Sequence, residues 1–152
     1  MARLGSEGTE RWTQPRQREG VVTSRTRKCT PAIVSGRRRK AEQFADAFAT
    51  ILEFADEPGD VSDACATLAV HAGIAAADVI CCTTLGRHHQ GEDHRGAIDL
   101  LASVDTGLAR HLKTLLDLKT LAGYSHDPIT LAALKKAGRA MTALVDAARR
   151  AP

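Results

Sequence analysis

Two charged residues stand where apolar side chains are expected, and they are the first candidates for chemistry. Asp78 interrupts the small, apolar run from Gly73 to Cys82. A helix that is apolar on every side belongs in the interior of a protein. A carboxylate in such a helix needs a partner, because burying an unpaired charge is costly. Lys119 falls near the centre of the apolar face of a later helix, in TGLARHLKTLLDLKTLAGY. Lysine is almost never buried unless paired, although its stem can snorkel so that the ammonium reaches water. Opposite charges on two helices that should pack together predict a contact. Either a structural ion pair or a polar site would satisfy both, since buried pairs bring little net stability. Between them lies a third group: His88, His89 and His94, with Glu92 and Asp93. These are metal-ligand types, but their spacing matches no strong zinc pattern. The expectation is a solvent-exposed polar loop over Arg87–Gly91, with no metal and no cofactor.

The elements that must position these residues read as helices. Aromatics are 3% of the chain, Ala and Leu abound, and no alternating Val/Ile/Thr pattern is present. That favours an all-α fold. A length of 152 residues suits one domain with a real core. Thr30-Pro31 predicts an N-cap followed by proline in the first turn. The helix should run to about Asp56, with Phe44, Phe48, Ile51, Leu52 and Ala55 as its stripe, and Pro58-Gly59 as its stop. A second helix should begin after Asp60 or Ser62 and end at Gly86, a natural left-handed C′ residue. Gly73 within it would let a neighbour come close. A short helix over Ala97–Ala102 follows, then a break capped by Asp105. The next helix carries Leu108, Leu112, Leu115, Leu116, Leu118 and Ala122 on one face. After the turn Tyr124–Pro128, Thr130 caps a last helix with Leu131, Leu134, Ala137, Met141, Leu144, Val145 and Ala148 as its stripe.

Charge is unevenly spread. Residues 1–40 hold eleven Lys/Arg and three Glu, a net +8, whereas residues 41–152 hold ten Lys/Arg and fifteen Asp/Glu, a net −5. Composition predicts that 1–29 is a disordered basic segment preceding a domain over 30–150. It reads either as a nucleic-acid arm or as upstream sequence, with Val21 or Val22 an alternative start. The arm reading extends through Arg25, Arg27, Lys28, Arg37, Arg38, Arg39 and Lys40, which could neutralise phosphates. A short basic run such as GRRRK is otherwise a solvated helix face. No secretory signal is apparent, and no apolar run approaches the roughly 20 residues of a bilayer span. Cys29, Cys65, Cys81 and Cys82 show no CxxC spacing and read as reduced thiols of a cytoplasmic protein. Cys65, Cys81 and Cys82 would be small core residues.

Three features make residues 31–150 resemble the HEPN superfamily of small helical proteins. One is the small-residue helix Ala72–Cys81, closed by Gly86 and followed by His94-x-x-Ala97-Ile98. The second is Leu118-Lys119-x-x-Ala122-x-Tyr124. The third is the Ala- and Leu-rich closing helix after Ile129-Thr130. The resemblance implies an up-and-down four-helix bundle with a short additional helix, often a homodimer. Members include ribonuclease toxins, partners of small nucleotidyltransferases, and catalytically silent binders of nucleotides or nucleic acid. Active members carry an Arg followed four to six residues later by a His. Here Lys119 takes the place of the Arg, Tyr124 stands where the His would be, and His126 lies slightly out of range. Lysine keeps the charge without the bidentate fork, and a tyrosine with a pKa near 10 is a poor base at neutral pH.

These features lead to an expected non-catalytic or degenerate HEPN module. It would bind a partner protein, a nucleotide or RNA in a groove around Asp78, His94, Lys119 and Tyr124. An antitoxin or nucleotidyltransferase partner is expected, and no membrane. The rival expectation is a metal-independent ribonuclease using Lys119 with His126 or Tyr124. A further alternative is DNA binding through the basic arm.

Overall fold

The computed structural model describes residues 25–152, so the expectations for 1–24 lie outside the described residues. Among the described residues the fold is all-α apart from one small ribbon. Five α-helices, α1 (Pro31–Phe54), α2 (Ser62–Leu85), α3 (His94–Ala102), α4 (Thr106–Tyr124) and α5 (Leu131–Arg150), are joined by short connections. Two three-residue strands, β1 (Thr26–Lys28) and β2 (Arg87–His89), pair antiparallel with Arg27 opposite His88.

Helix ends follow local chemistry. The Thr30, Asp93, Asp105 and Thr130 side chains accept backbone N–H bonds at the starts of α1, α3, α4 and α5. Each satisfies a donor that the first turn leaves free. Helix α2 differs from expectation: a 3-10 turn over Pro58–Val61 leads straight into it, and no side chain caps it. The Ser62 hydroxyl instead donates to the Gly59 carbonyl. Gly86 ends α2 at φ +73°, the left-handed geometry that glycine adopts without strain. Helix α3 starts at His94, three residues earlier than Ala97, because Asp93 provides the cap.

Helix α2 is the central element and packs against α1, α4 and α5. Cys65, Ala66, Ala69, Ala72, Ala76 and Val79 are at most marginally exposed. Their small size lets the neighbouring helices approach. Gly73 marks the tightest crossing. A Cβ there would collide with Leu115 Cδ1 and lie 3.3 Å from Leu144 Cδ1, so α4 and α5 both press on this point. Helix α5 buries Leu134, Ala137, Met141, Leu144, Val145 and Ala148 as its stripe predicts, while Leu131 stays half exposed. On α1 the buried positions are Ala41, Ala45 and Phe48, whereas Ile51 lies at the surface. The core-facing stripe is thus shifted toward alanines, and Phe44 and Leu52 pack at its margin.

Three sequence expectations are corrected by the structure. The stretch Pro58–Leu85 is long and apolar enough to cross a membrane by length and composition, contrary to the expectation that no run comes near. However, 78% of its apolar window is buried within the protein. Residues 25–29, assigned by composition to the basic segment, instead contribute β1. A disulfide between Cys29 and Cys82, with Cα atoms 5.6 Å apart, ties the end of this strand to α2. Two of the four cysteines are therefore not free thiols. Cys65 and Cys81 are free and buried, as expected.

Candidate functional site

Asp78 is 8% exposed, and its partner comes from α1. Arg37 Nε lies 3.2 Å from Asp78 Oδ2. The pairing follows from direction: Arg37 is in the second turn of α1 and Asp78 is late in α2, so the helices run antiparallel. His88 Nδ1 lies 3.9 Å from Asp78 Oδ1. The same nitrogen is 2.9 Å from the His89 carbonyl oxygen. That oxygen can only accept, so Nδ1 carries a proton and donates to it. Burial pushes the Asp78 carboxyl up to about 6, while the positive charge of Arg37, and that of His88 when protonated, pull the other way.

The expected Asp78–Lys119 ion pair is absent, since Arg37 has taken the carboxylate. Both residues nevertheless line one cavity of about 290 Å³. Its apolar side is Ile74 and Ala77 of α2 with Leu112 and Leu116 of α4. Its polar side comes from β1, β2 and the start of α3, including His94. Lys119 is half-buried and forms no ion pair among the described residues. Cys81 also reaches the wall, and burial, reinforced by the Asp78 charge, pushes its thiol up to about 12. It is an inert surface rather than a nucleophile.

The segment Arg87–Gly91 is only in part the solvent-exposed loop expected from composition: Arg87, Gln90 and Gly91 are exposed, but Arg87–His89 form β2 and His88 is buried. His88 is 6% exposed, with its ring beside Asp78 of α2, and the β1 strand paired with it is held in place by the disulfide. Backbone bonds from Cys29 N to Gly86 O and from Gln90 N to Arg25 O extend the ribbon at both ends. The His89 ring lies over Gly96, where a Cβ would come within 2.8 Å of it, so only glycine admits the ring. Both His89 ring nitrogens are buried without a protein partner. Among the described residues no group of three or more His, Cys, Asp and Glu side chains converges as a metal site would require.

Of the groove residues expected from sequence, Asp78, His94 and Lys119 come together and Tyr124 does not. Tyr124 is 85% exposed at the end of α4 and is not part of the cavity. The His126 side chain is 95% exposed and faces Asp127, 3.5 Å away. The basic run splits by helical phase. Arg37 turns inward to Asp78, Arg38 donates to the carbonyls of Ala148 and Ala151 near the chain end, and Arg39 and Lys40 are exposed. Arg27 and Lys28 on β1, and Arg25 just before it, are exposed, with Arg27 reaching the cavity. Sequence reading missed Arg37 and Arg27 as wall residues of this site. Its one signal for Arg37 was the need of Asp78 for a cation, and the basic run of α1 held one in antiparallel register.

The fold and site define an all-α protein with a polar, cation-bearing cavity at one end of its central helix. Neither comparison with protein-family models nor comparison with curated proteins finds a match.

Proposed function

We propose that this protein is a non-catalytic helical module of the HEPN type whose cavity takes a nucleotide, free or as part of RNA. One observation carries the reading. Lys119 stands at the wall of a cavity with an apolar floor, and it forms no ion pair among the described residues, although Asp78, Glu92 and Asp93 line the same cavity. Such a combination suits a ligand with a flat apolar part and an anionic part. The volume of about 290 Å³ is at the small end for ligand sites and suits a single nucleotide unit. The up-and-down bundle is supported by the antiparallel course of α1 relative to α2 and to α5, which Arg37–Asp78 and Arg38–Ala148 mark. A partner protein such as an antitoxin or nucleotidyltransferase, and a homodimer, belong to the same reading.

Titration calorimetry with ribonucleoside monophosphates tests it. Binding to the intact chain should weaken about tenfold in Lys119→Ala, as expected for loss of one charge-assisted contact. Absence of binding to the wild-type chain overturns the reading.

The ribonuclease alternative keeps one supporting observation. Tyr124 and His126 are exposed a few residues beyond Lys119, which leaves them accessible to an RNA substrate. It requires RNA cleavage without metal, lost in Lys119→Ala and His126→Ala. DNA binding through the basic arm is the further alternative, supported by the exposure of Arg25, Lys28 and Arg39.

A further inference from the structure

The cavity has a neighbour. A groove of about 260 Å³ lies between β1 and the first turns of α1, and it shares Arg27, Arg37 and His88 with the cavity as a common wall. Its floor is small and open: Ala32, Ile33 and Gly36 line it, and a Cβ added at Gly36 would meet nothing within 4 Å. Lys40 closes its far side.

The two depressions differ in charge. The cavity sets Arg27, Arg37 and Lys119 against Asp78, Glu92 and Asp93. The groove holds Arg27, Arg37 and Lys40, and no carboxylate is among its lining residues. Arg37 meets Asp78 through Nε, and its two terminal nitrogens make no hydrogen bond among the described residues. Its side chain is 37% exposed, so that edge of the guanidinium is open to a ligand. A guanidinium edge beside a lysine in a groove free of carboxylates suits phosphate oxygens.

We propose that the ligand spans both depressions: one nucleotide unit sits in the cavity, and a further phosphate crosses the Arg27–Arg37 wall into the groove beside Lys40. The ligand class is therefore a nucleotide with more than one phosphate, either a nucleoside diphosphate or single-stranded RNA. This inference rests on the nucleotide reading of the cavity and adds a second anion subsite to it. The disulfide supports the arrangement, because Cys29–Cys82 fixes the strand that presents Arg27.

Calorimetry at constant ionic strength tests it, with ribonucleoside monophosphates, the matching diphosphates and short single-stranded RNA as probes. Diphosphate or RNA should bind about tenfold tighter than monophosphate. Lys40→Ala should abolish that gain while leaving monophosphate affinity unchanged. Lys136→Ala, an equal charge change on α5 outside both depressions, should leave the gain intact. Diphosphates alone, or RNA alone, showing the gain identifies the source of the second phosphate. If monophosphate binds but neither longer probe gains, or if the gain survives Lys40→Ala, the second subsite is overturned and the cavity reading stands. If none of the probes binds, both fall together.

Discussion

The behaviour of the site at the residue scale is set by one buried carboxyl. Desolvation raises Asp78 from its ordinary 3.8 to about 6 despite Arg37 and His88. The folded chain therefore holds this proton more tightly than the unfolded chain. Its contribution to stability is full below about 4 and is lost as pH rises through about 6. The ceiling on that loss is on the order of 3 kcal/mol. Asp78→Asn removes the titration, so its stability should stay flat across this window relative to wild type. Denaturant melts of both proteins at pH 4 and pH 7 measure the difference. A constant gap between them would mean that the carboxyl is not desolvated. The same substitution leaves Arg37 able to reach water, since its side chain is 37% exposed, so no collapse at neutral pH is expected.

Helix contacts are governed by close approach and by one surface clamp. Gly73 is the point where α4 and α5 press on α2. Leu115 is fully buried, so its Cδ1 has no free space into which to retreat. Gly73→Ala should gain helix propensity of about 1 kcal/mol but lose more to overpacking, typically ~1–3 kcal/mol. A net destabilisation is the expected outcome of a thermal melt, larger for Gly73→Val. The clamp is Arg149, which donates from Nε and Nη2 to the two Glu42 carboxylate oxygens, each at 2.6 Å, and joins α5 to α1. Its hydrogen bond holds Glu42 below the usual carboxylate range. Both groups are partly exposed, so Arg149→Ala should cost only about 1 kcal/mol, and added salt should narrow the gap to wild type.

For the molecule as a whole, the crosslink has the longest reach. Cys29 and Cys82 are separated by 53 residues, so the bridge closes a loop that contains all of α1 and most of α2. Chain-entropy reasoning gives about 4 kcal/mol for a loop of this length, as an upper figure. Reduction, or the pair Cys29→Ser and Cys82→Ser, should lower the denaturation midpoint, with the helices retained by circular dichroism. On the nucleotide reading proposed above, affinity for nucleotide should fall as well, because β1 then holds Arg27 only through its ribbon bonds. Unchanged affinity in Arg27→Ala would show that Arg27 is not a ligand contact.

The sequence by itself determined the helices, their caps at Thr30, Asp105 and Thr130, the stop at Gly86, and the burial of Asp78. These follow from local periodicity, side-chain hydrogen bonding and desolvation, all of which act within a few residues. Tertiary structure decided who answers the buried charge. Arg37 and Lys119 are both cations on neighbouring helices, and only the antiparallel register of α1 on α2 brings the first one close. It also decided the fate of Cys29 and His88, because a three-residue strand has too little pattern to announce itself and exists here through its pairing and its crosslink. Tyr124 remained at the surface for the same reason: helical phase gives a residue its face, but whether that face is covered depends on where the neighbouring elements stop.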